Sequence, residues 1–217
     1  MPDERSLRDA LLAAAHGMSE RGLNVGTSGN ASVRCPGGML ITPTGLPIEN
    51  CSARDMVFVN VAGKAHGERA PSSEWPMHLD VYADRPEAAA VLHAHSPFAT
   101  ALACRRLEIP PFHYMIARFG GSTVRCADYA TFGTQALSDS VRVAMQGRSA
   151  CLLANHGMLV FGDDAAHALA MAVEFETLCE QYWRVLQLGE PALLSDAEMS
   201  EVMERFAGYG QPRTNQT

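Results

Sequence analysis

An apolar run that ends in two histidines constrains this chain more than any other stretch. Residues 90–92, Ala-Val-Leu, lead directly into His93 and His95, and Pro97 ends the run. Consecutive apolar residues of this kind predict a buried strand. Residues two apart in a strand point to the same face, so both imidazoles face the same way, as in half of a zinc or iron site. The simpler alternative is two polar side chains that bond to water or backbone at a strand end.

A second stretch repeats this pattern and strengthens the metal hypothesis. Residues 151–154 are apolar, and His156 and Gly157 follow them closely. Two buried strands that both end at histidines would bring three imidazoles together. Three neutral ligands leave a zinc ion with its full positive charge and an open fourth position, which is the catalytic arrangement rather than the closed structural one. The sequence therefore favours a catalytic metal site, although short motifs also occur by chance.

Composition limits the classes of protein that this chain fits. Its 217 residues suit one domain or two small ones, and 47% hydrophobic with 19% charged residues permits a large core. The net charge is −7 and no basic cluster is present, so we expect no nucleic-acid partner.

Membrane and export signals are weak, so we expect a cytoplasmic protein. No apolar run with helical character is long enough to cross a bilayer. Residues 1–5 carry acids and lack the order of a signal peptide. The cysteines are scattered without a Cys-x-x-Cys motif, which is typical of reduced thiols. They are Cys35, Cys51, Cys104, Cys126, Cys151 and Cys179.

Hydrophobic periodicity and cap residues predict helices and strands without strict alternation. Helices are expected over 6–21, 74–83, 98–104, 134–146, 163–188 and 196–206, with 109–123 irregular. Ser6 is expected to cap the first of them, Ser72 or Ser73 the second, and Asp163 the fifth. Strands are expected over 31–34, 39–42, 56–61 and 158–161 and at both histidine runs. This pattern indicates an α/β or α+β domain with one central sheet, over residues 1–210, with 211–217 as a flexible tail.

Three loops share small, polar residues that suit an anion. Glycine lets backbone approach a ligand closely, and hydroxyl and amide groups supply hydrogen-bond donors. The loops are Ser28-Gly29-Asn30, Thr44-Gly45 and Ser72-Ser73. If they converge, they would hold a phosphate without lysine or arginine, helped by the helix expected after Ser73. Taken singly, each is better interpreted as an ordinary turn or cap.

Glu74 follows the third of these loops and is expected in the first turn of a helix. A carboxylate there commonly serves the helix dipole or a capping box. Beside a metal-bound substrate, it would instead act as a general base toward a carbon-bound proton. The sequence leaves both roles open at this point.

Five motifs in this order closely resemble the class II aldolase/adducin family. They are Thr27-Ser28-Gly29-Asn30, Ile41-Thr42-Pro43-Thr44-Gly45, Pro71-Ser72-Ser73-Glu74, His93-Ala94-His95 and Asn155-His156-Gly157. The likeness covers nearly the whole chain and is greatest to aldolases of L-fuculose 1-phosphate. It implies a single three-layer α/β/α domain around a largely antiparallel sheet, in a homotetramer whose sites lie at subunit interfaces. One difference is Asn155, where those aldolases carry histidine.

The resemblance also implies roles for individual residues. His93, His95 and His156 would bind Zn²⁺, and Glu74 would be the acid/base and a possible fourth ligand. Tyr114 of a neighbouring subunit would donate a proton to the aldehyde oxygen. The substrate phosphate would lie against Gly29, Asn30, Thr44, Gly45, Ser72 and Ser73. The aldehyde pocket would contain Phe132, Phe206 and Tyr209, although aromatic residues are equally often plain core.

The reaction implied is cleavage of a phosphorylated sugar, a ketose 1-phosphate such as L-fuculose 1-phosphate, into dihydroxyacetone phosphate and a short aldehyde such as L-lactaldehyde. Related enzymes of this family catalyse decarboxylation of 3-oxo-acid phosphates or dehydration of methylthioribulose phosphate, and both keep the glutamate. The epimerases fit less well, because they carry an aspartate at the position of Glu74. An adducin-like binding domain fits poorly too, because such domains lack the metal histidines.

Overall fold

The computed structural model of the chain describes residues 3–207, except for the side chain of residue 207. Its helices are α1 (Glu4–Glu20), α2 (Trp75–Asp84), α3 (Pro97–Cys104), α4 (Gln135–Ala144), α5 (Ala165–Leu188) and α6 (Asp196–Ala207). Its strands are β1 (Asn30–Cys35), β2 (Gly38–Ile41), β3 (Val57–Asn60), β4 (Ala65–His66), β5 (Ala90–Ala94), β6 (Cys126–Ala127), β7 (Ala150–Leu153) and β8 (Gly157–Gly162).

All eight strands form one sheet in the order β4-β3-β2-β1-β5-β8-β7-β6. Neighbouring strands are antiparallel except β6 and β7, which are parallel. The register places Asn30 opposite His93 on the central pair β1 and β5. Because β5 and β8 are antiparallel, the end of β5 lies beside the beginning of β8, and the two histidine runs therefore meet at one edge of the sheet.

Helices cover both faces of this sheet, so the architecture has three layers. Leu92 and Val160 face a core shared with α1, α3 and α5, whereas Val91 and Leu159 face a second core shared with α2 and α4. Neighbouring residues of a strand point to opposite faces, which is why a continuous apolar run fits a strand that is covered on both sides. The expected single α/β/α domain with a largely antiparallel sheet is confirmed.

The predicted helix starts are wrong by small amounts. Asp3, not Ser6, caps α1, and its side chain accepts from the Ser6 N–H at 2.7 Å. Asp164, not Asp163, caps α5. Neither Ser72 nor Ser73 caps α2: Glu74 itself occupies the cap position, without a capping hydrogen bond from its side chain. The Ser72 hydroxyl accepts from the Glu74 N–H instead, before the helix begins.

The segment expected to be irregular contains one ordered turn. Residues Tyr114–Phe119 form a 3-10 helix, and Ile109 and Val124 form an isolated bridge. The short strands β4 and β6 had no sequence prediction, since two residues show no periodicity. Tyr209 and the predicted tail 211–217 lie outside the described residues, and the predicted domain boundary stays a prediction. Across residues 3–207, no helix combines the length and apolar character needed to cross a bilayer.

Candidate metal centre

Three imidazoles and one carboxylate converge at the edge of the sheet where β5 ends. The potential ligand atoms of Glu74, His93, His95 and His156 all lie within 4.8 Å of one another. The three rings are arranged edge to face, with centroids 4.7 to 4.9 Å apart. Zn–N bonds of about 2.0–2.1 Å in a tetrahedron separate ligand atoms by about 3.3 Å. The observed separation of 2.9 Å between the Nε2 atoms of His93 and His95 is close to that value.

Backbone groups fix how the first two histidines point. The Nδ1 atom of His93 lies 2.9 Å from the carbonyl oxygen of Met158 on β8. A carbonyl only accepts, so Nδ1 carries the proton and Nε2 of the neutral ring presents its lone pair to the centre. The backbone N–H of His95 donates to Oδ1 of Asn24 at 3.1 Å. Asn24 also packs directly on Gly29, where any Cβ atom would overlap it.

A tight turn presents the third histidine. His156 lies between β7 and β8, and the residue before it, Asn155, has a φ of +54°. Asparagine tolerates this left-handed conformation better than most residues. Arg106 Nε donates to the Asn155 side-chain oxygen at 3.0 Å, which holds the turn. The asparagine that differs from the aldolase pattern thus has a conformational role here.

Glu74 faces the imidazoles with both carboxylate oxygens. Its Oε2 lies 3.2 Å from Nε2 of His93 and accepts from the Asn30 amide at 2.9 Å, and its Oε1 lies 3.2 Å from Nε2 of His156. Oε1 is buried and has no hydrogen-bond partner. Buried carboxylate oxygens without a donor are costly. Lone pairs and a carboxylate that face one another match a cation, so these residues fit a divalent metal.

Burial affects the protonation of two of the three histidines and of Glu74. Burial, followed by the nearby charge of His93, lowers the pKa of His95 and of His156 to about 4. For Glu74, burial by itself would raise the pKa, but His93, His156 and the Asn30 amide together hold it well below its ordinary value. Near neutral pH, His95 and His156 are therefore neutral and Glu74 is ionised, which is the protonation state that metal binding requires.

The small-residue loops line the same cavity as this centre. We call this space of about 380 Å³ the metal cavity. Its walls include all six predicted phosphate-binding residues, together with Glu74, His95, His156, Phe132 and Tyr129. Within the described part of the chain, neither lysine nor arginine lines it. Any anion here would therefore be held by hydroxyl, amide and backbone N–H donors.

Two predicted residues lie elsewhere in the same chain. Tyr114 and Phe206 stack with ring centroids 6.4 Å apart and line a second space of about 730 Å³, the distal cavity. Its walls include Glu87 before β5 and Gly162 at the end of β8, so it lies at the opposite end of the strands. Strands of this length separate the two ends by roughly 15 Å at about 3.3 Å per residue. Tyr114 does not reach the metal cavity of its own chain.

Sequence reasoning missed a buried polar chain that begins at Glu74. The Asn30 side chain also lies 2.6 Å from Nε2 of His78, Nδ1 of His78 lies 2.8 Å from the Ser32 hydroxyl, and that hydroxyl lies 2.8 Å from the Tyr82 hydroxyl. The signal was present in the spacing. Asn30 and Ser32 are two apart on a strand, and Glu74, His78 and Tyr82 are four apart on one helical face.

Comparison with known proteins identifies the family. The model of the family described as "Class II Aldolase and Adducin N-terminal domain" matches residues 9–183. This range covers most of the 217 residues and includes all four potential metal ligands. The chain belongs to the class II aldolase/adducin family.

Relatives and structures within this family are similar over nearly their full lengths. A 5-methylthioribulose-1-phosphate/5-deoxyribulose-1-phosphate aldolase of Rhodospirillum rubrum is 50% identical over 211 residues, 97% of this chain and 96% of that protein. An L-fuculose phosphate aldolase of Escherichia coli K12 is 44% identical over 194 residues, 89% and 90% of the two chains. A solved L-fuculose 1-phosphate aldolase superposes with a TM-score of 0.90 at 40% identity, over 93% and 96% of the chains.

Membership in this family and the group of four potential metal ligands together identify the protein as an enzyme. It is a carbon–carbon lyase with a site for a divalent metal. The adducin-like binding domain considered from the sequence is thereby set aside.

Proposed function

We propose that the chain is a zinc-dependent aldolase of the cytoplasm that cleaves a ketose 1-phosphate into dihydroxyacetone phosphate and a short aldehyde. The observation that carries this proposal is the position of Glu74. Its carboxylate lies 3.2 Å from two of the three imidazoles on the wall of a cavity that also contains the small-residue loops. Imidazole ligands favour zinc over magnesium and calcium, which prefer oxygen ligands.

The proposed division of roles follows from this geometry. His93, His95 and His156 hold the cation, with Glu74 as a further ligand before substrate arrives. When bound, the cation supplies positive charge that stabilises negative charge on the substrate oxygens. The phosphate lies against the loops that contain Gly29, Thr44, Gly45, Ser72 and Ser73. This fixes the register of the carbon chain relative to the Glu74 carboxylate.

Glu74 is proposed as the general acid and base. In the direction of bond formation, it removes a proton from the hydroxymethyl carbon of dihydroxyacetone phosphate. In the direction of cleavage, the same carboxyl group returns a proton to that carbon. Its Oε1 atom accepts no hydrogen bond, so a lone pair of this oxygen is free to take the proton.

Tyr114 is proposed to act in the site of a neighbouring subunit of a homotetramer. Its ring is half exposed and lies in the distal cavity, remote from the metal cavity of its own chain. In the neighbouring subunit's site, Tyr114 would give its phenolic proton to the aldehyde oxygen as the new carbon–carbon bond forms. The exposed rings of Tyr129 and Phe132 at the rim of the metal cavity are also consistent with a site that a second subunit completes.

The preferred substrates are proposed to be 5-methylthioribulose 1-phosphate and 5-deoxyribulose 1-phosphate. The resemblance in the sequence indicated L-fuculose 1-phosphate, which stays the second candidate because a relative of that activity is 44% identical. The Rhodospirillum rubrum relative, at 50% identity, favours the 5-substituted pentuloses. Their aldehyde fragments end in methyl or methylthio groups, which suit the aromatic rim at Phe132.

A direct substrate comparison tests this proposal. The zinc-loaded protein would be incubated with each of the three ketose 1-phosphates, and dihydroxyacetone phosphate would be measured by a coupled reductase. We expect release from all three and the highest kcat/KM for the two 5-substituted pentuloses. A Glu74→Gln variant is the control for contaminating aldolase. Release of carbon dioxide from 3-oxo-tetronate 4-phosphate, or of water from methylthioribulose phosphate, without dihydroxyacetone phosphate would contradict it.

A further inference from the structure

Three members of the buried polar chain, namely His78, Ser32 and Tyr82, have no part in the roles assigned above. His78 and Ser32 have no exposed surface, and Tyr82 and Asn30 are 4% and 6% exposed. Most buried positions in the second core are apolar, and polar groups there are retained only when every one is satisfied. Four buried polar side chains are joined one after another by hydrogen bonds to a single carboxylate, and this arrangement calls for a functional explanation.

The donors in this chain all point toward Glu74, and the carboxylate decides the direction. Ionised Glu74 only accepts, so the Asn30 atom 2.9 Å from it is the amide nitrogen. The Asn30 oxygen therefore faces Nε2 of His78, which must carry the proton. Nδ1 of His78 is then an acceptor, so the Ser32 hydroxyl donates to it. The Tyr82 hydroxyl in turn donates to Ser32.

We propose that His78, Ser32 and Tyr82 are positioning residues that lock the Asn30 amide so that it donates to the catalytic carboxylate of Glu74. If His78 adopted the other tautomer, the Asn30 amide would turn over and place its oxygen against the carboxylate. The carboxylate would then leave its position beside His93 and His156. Asn30 thus orients the base through its side chain, in addition to its place on the wall of the metal cavity. The inference rests on the proposed role of Glu74 as the base.

Substitutions at His78 separate this role from simple packing. His78→Gln keeps a donor near Asn30 and an acceptor near Ser32, so the direction of the chain survives. His78→Leu has similar bulk but neither group. We expect kcat for cleavage to fall about 10- to 100-fold in His78→Leu, as for other residues that orient an active-site group through a hydrogen bond. KM should change less than about threefold. His78→Gln should restore kcat to within about fivefold of wild type.

A neighbouring apolar residue supplies the control for lost stability. Val81 is buried on the same helix, and its apolar side chain packs in the second core. Val81→Ala should lower the thermal midpoint without a change in kcat. Equal losses of kcat in Val81→Ala and His78→Leu would overturn the proposal, because both would then reflect loosened packing. If His78→Leu fails to fold, Ser32→Ala removes the donor to Nδ1 and the acceptor for the Tyr82 hydroxyl, and it should still lower kcat.

The tautomer of His78 gives a readout that does not depend on turnover. Nitrogen-15 NMR of histidine-labelled protein should show His78 protonated at Nε2 in the wild type, with that preference weakened in Ser32→Ala. Protonation at Nδ1 in the wild type would overturn the inference whatever the activity. If no ketose 1-phosphate is cleaved but Nε2 is protonated, the proposed function fails while the hydrogen-bond direction stands. Full activity of a folded His78→Leu would instead contradict the positioning role alone.

Discussion

At the scale of the residue, three of the four groups of the metal centre have a second contact that fixes their direction. His93 donates to the Met158 carbonyl, His95 is held through its backbone by Asn24, and Glu74 accepts from Asn30. Such outer contacts set the tautomer and orientation of ligands in metal sites. These contacts hold the ligand atoms in place, so the effects of single substitutions can be predicted separately for metal binding and for chemistry.

Replacing Glu74 by glutamine should stop proton transfer while leaving the metal bound. Glutamine keeps the shape of the side chain but is not a base, whereas the three imidazoles stay in place. We expect exchange of the carbon-bound proton of dihydroxyacetone phosphate with deuterated water to fall by at least about 100-fold, within the range of general-base contributions. NMR measures the exchange, and metal analysis provides the control. Exchange at the wild-type rate would remove Glu74 from the role of base.

Replacing His95 by alanine should abolish tight metal binding. The change removes one of the four potential ligand groups and leaves its coordination position without a protein donor. Metal analysis after gel filtration should show less than about a tenth of the wild-type content, given a loss of affinity of 10-fold or more. His16→Ala is a matched histidine control outside the centre. Stoichiometric zinc in His95→Ala would exclude it from the ligand set.

His78 should make stability depend on pH. Burial, followed by the charge of His93, lowers its pKa from 6.5 to about 3. The unfolded chain thus binds a proton that the folded chain does not between these values, so stability falls as pH falls below 6.5. The loss is about 1.4 kcal/mol per pH unit. The free energy of unfolding would be measured with urea at several pH values from about 6.5 to about 4.5. Its slope against pH should be shallower by about this amount in His78→Gln than in the wild type. Parallel slopes would contradict a buried neutral histidine.

At the scale of the element, the site is built from turns at the ends of strands and helices. The loop that contains Gly133 packs on the Ser72-Ser73 loop, which precedes α2. Gly133 has a φ of +73°, and a Cβ atom there would lie 2.9 Å from the Ser73 carbonyl oxygen. The position therefore requires glycine for two reasons, conformation and space. Comparison with a second glycine, at which conformation is restricted but space is not, separates these two effects.

Gly133→Ala should raise the KM for a ketose 1-phosphate, because the added methyl group displaces the Ser73 backbone from the proposed phosphate position. Gly147→Ala is the matched control: its φ is +64°, but nothing lies within 4 Å of the added atom. Both variants should lose about 1 kcal/mol or more of stability from backbone strain. Steady-state kinetics should show a raised KM in Gly133→Ala only. An unchanged KM would argue against phosphate binding at this loop.

At the scale of the whole molecule, the two cavities lie at opposite ends of the sheet. The metal cavity contains the proposed base, and the distal cavity contains Tyr114 and Phe206. One chain cannot bring Glu74 and Tyr114 to the same substrate with this topology. A complete site would therefore need two chains, which is the physical basis for the proposed homotetramer.

Mixing two defective variants tests this arrangement. Glu74→Gln and Tyr114→Phe should each be nearly inactive alone, because each lacks one proton-transfer group. If a site combines Glu74 of one chain with Tyr114 of its neighbour, random reassembly of equal amounts should give about a quarter of the sites both groups and restore about that share of the activity. The activity of the mixed tetramers is compared with that of each parent. No recovery above the parents would place both groups in the same chain.

The sequence by itself determined the local features, because periodicity, caps and turn residues act over a few positions. The apolar runs predicted β5 and β7, and the five ordered motifs identified the family. Only the tertiary structure decided which distant groups meet: the antiparallel pairing of β5 with β8 joins the histidines, and the packing of α2 on β1 links Glu74 through Asn30 to His78. Spacing along the chain records which face a residue occupies but not which face lies opposite, since that depends on the cooperative packing of the whole core.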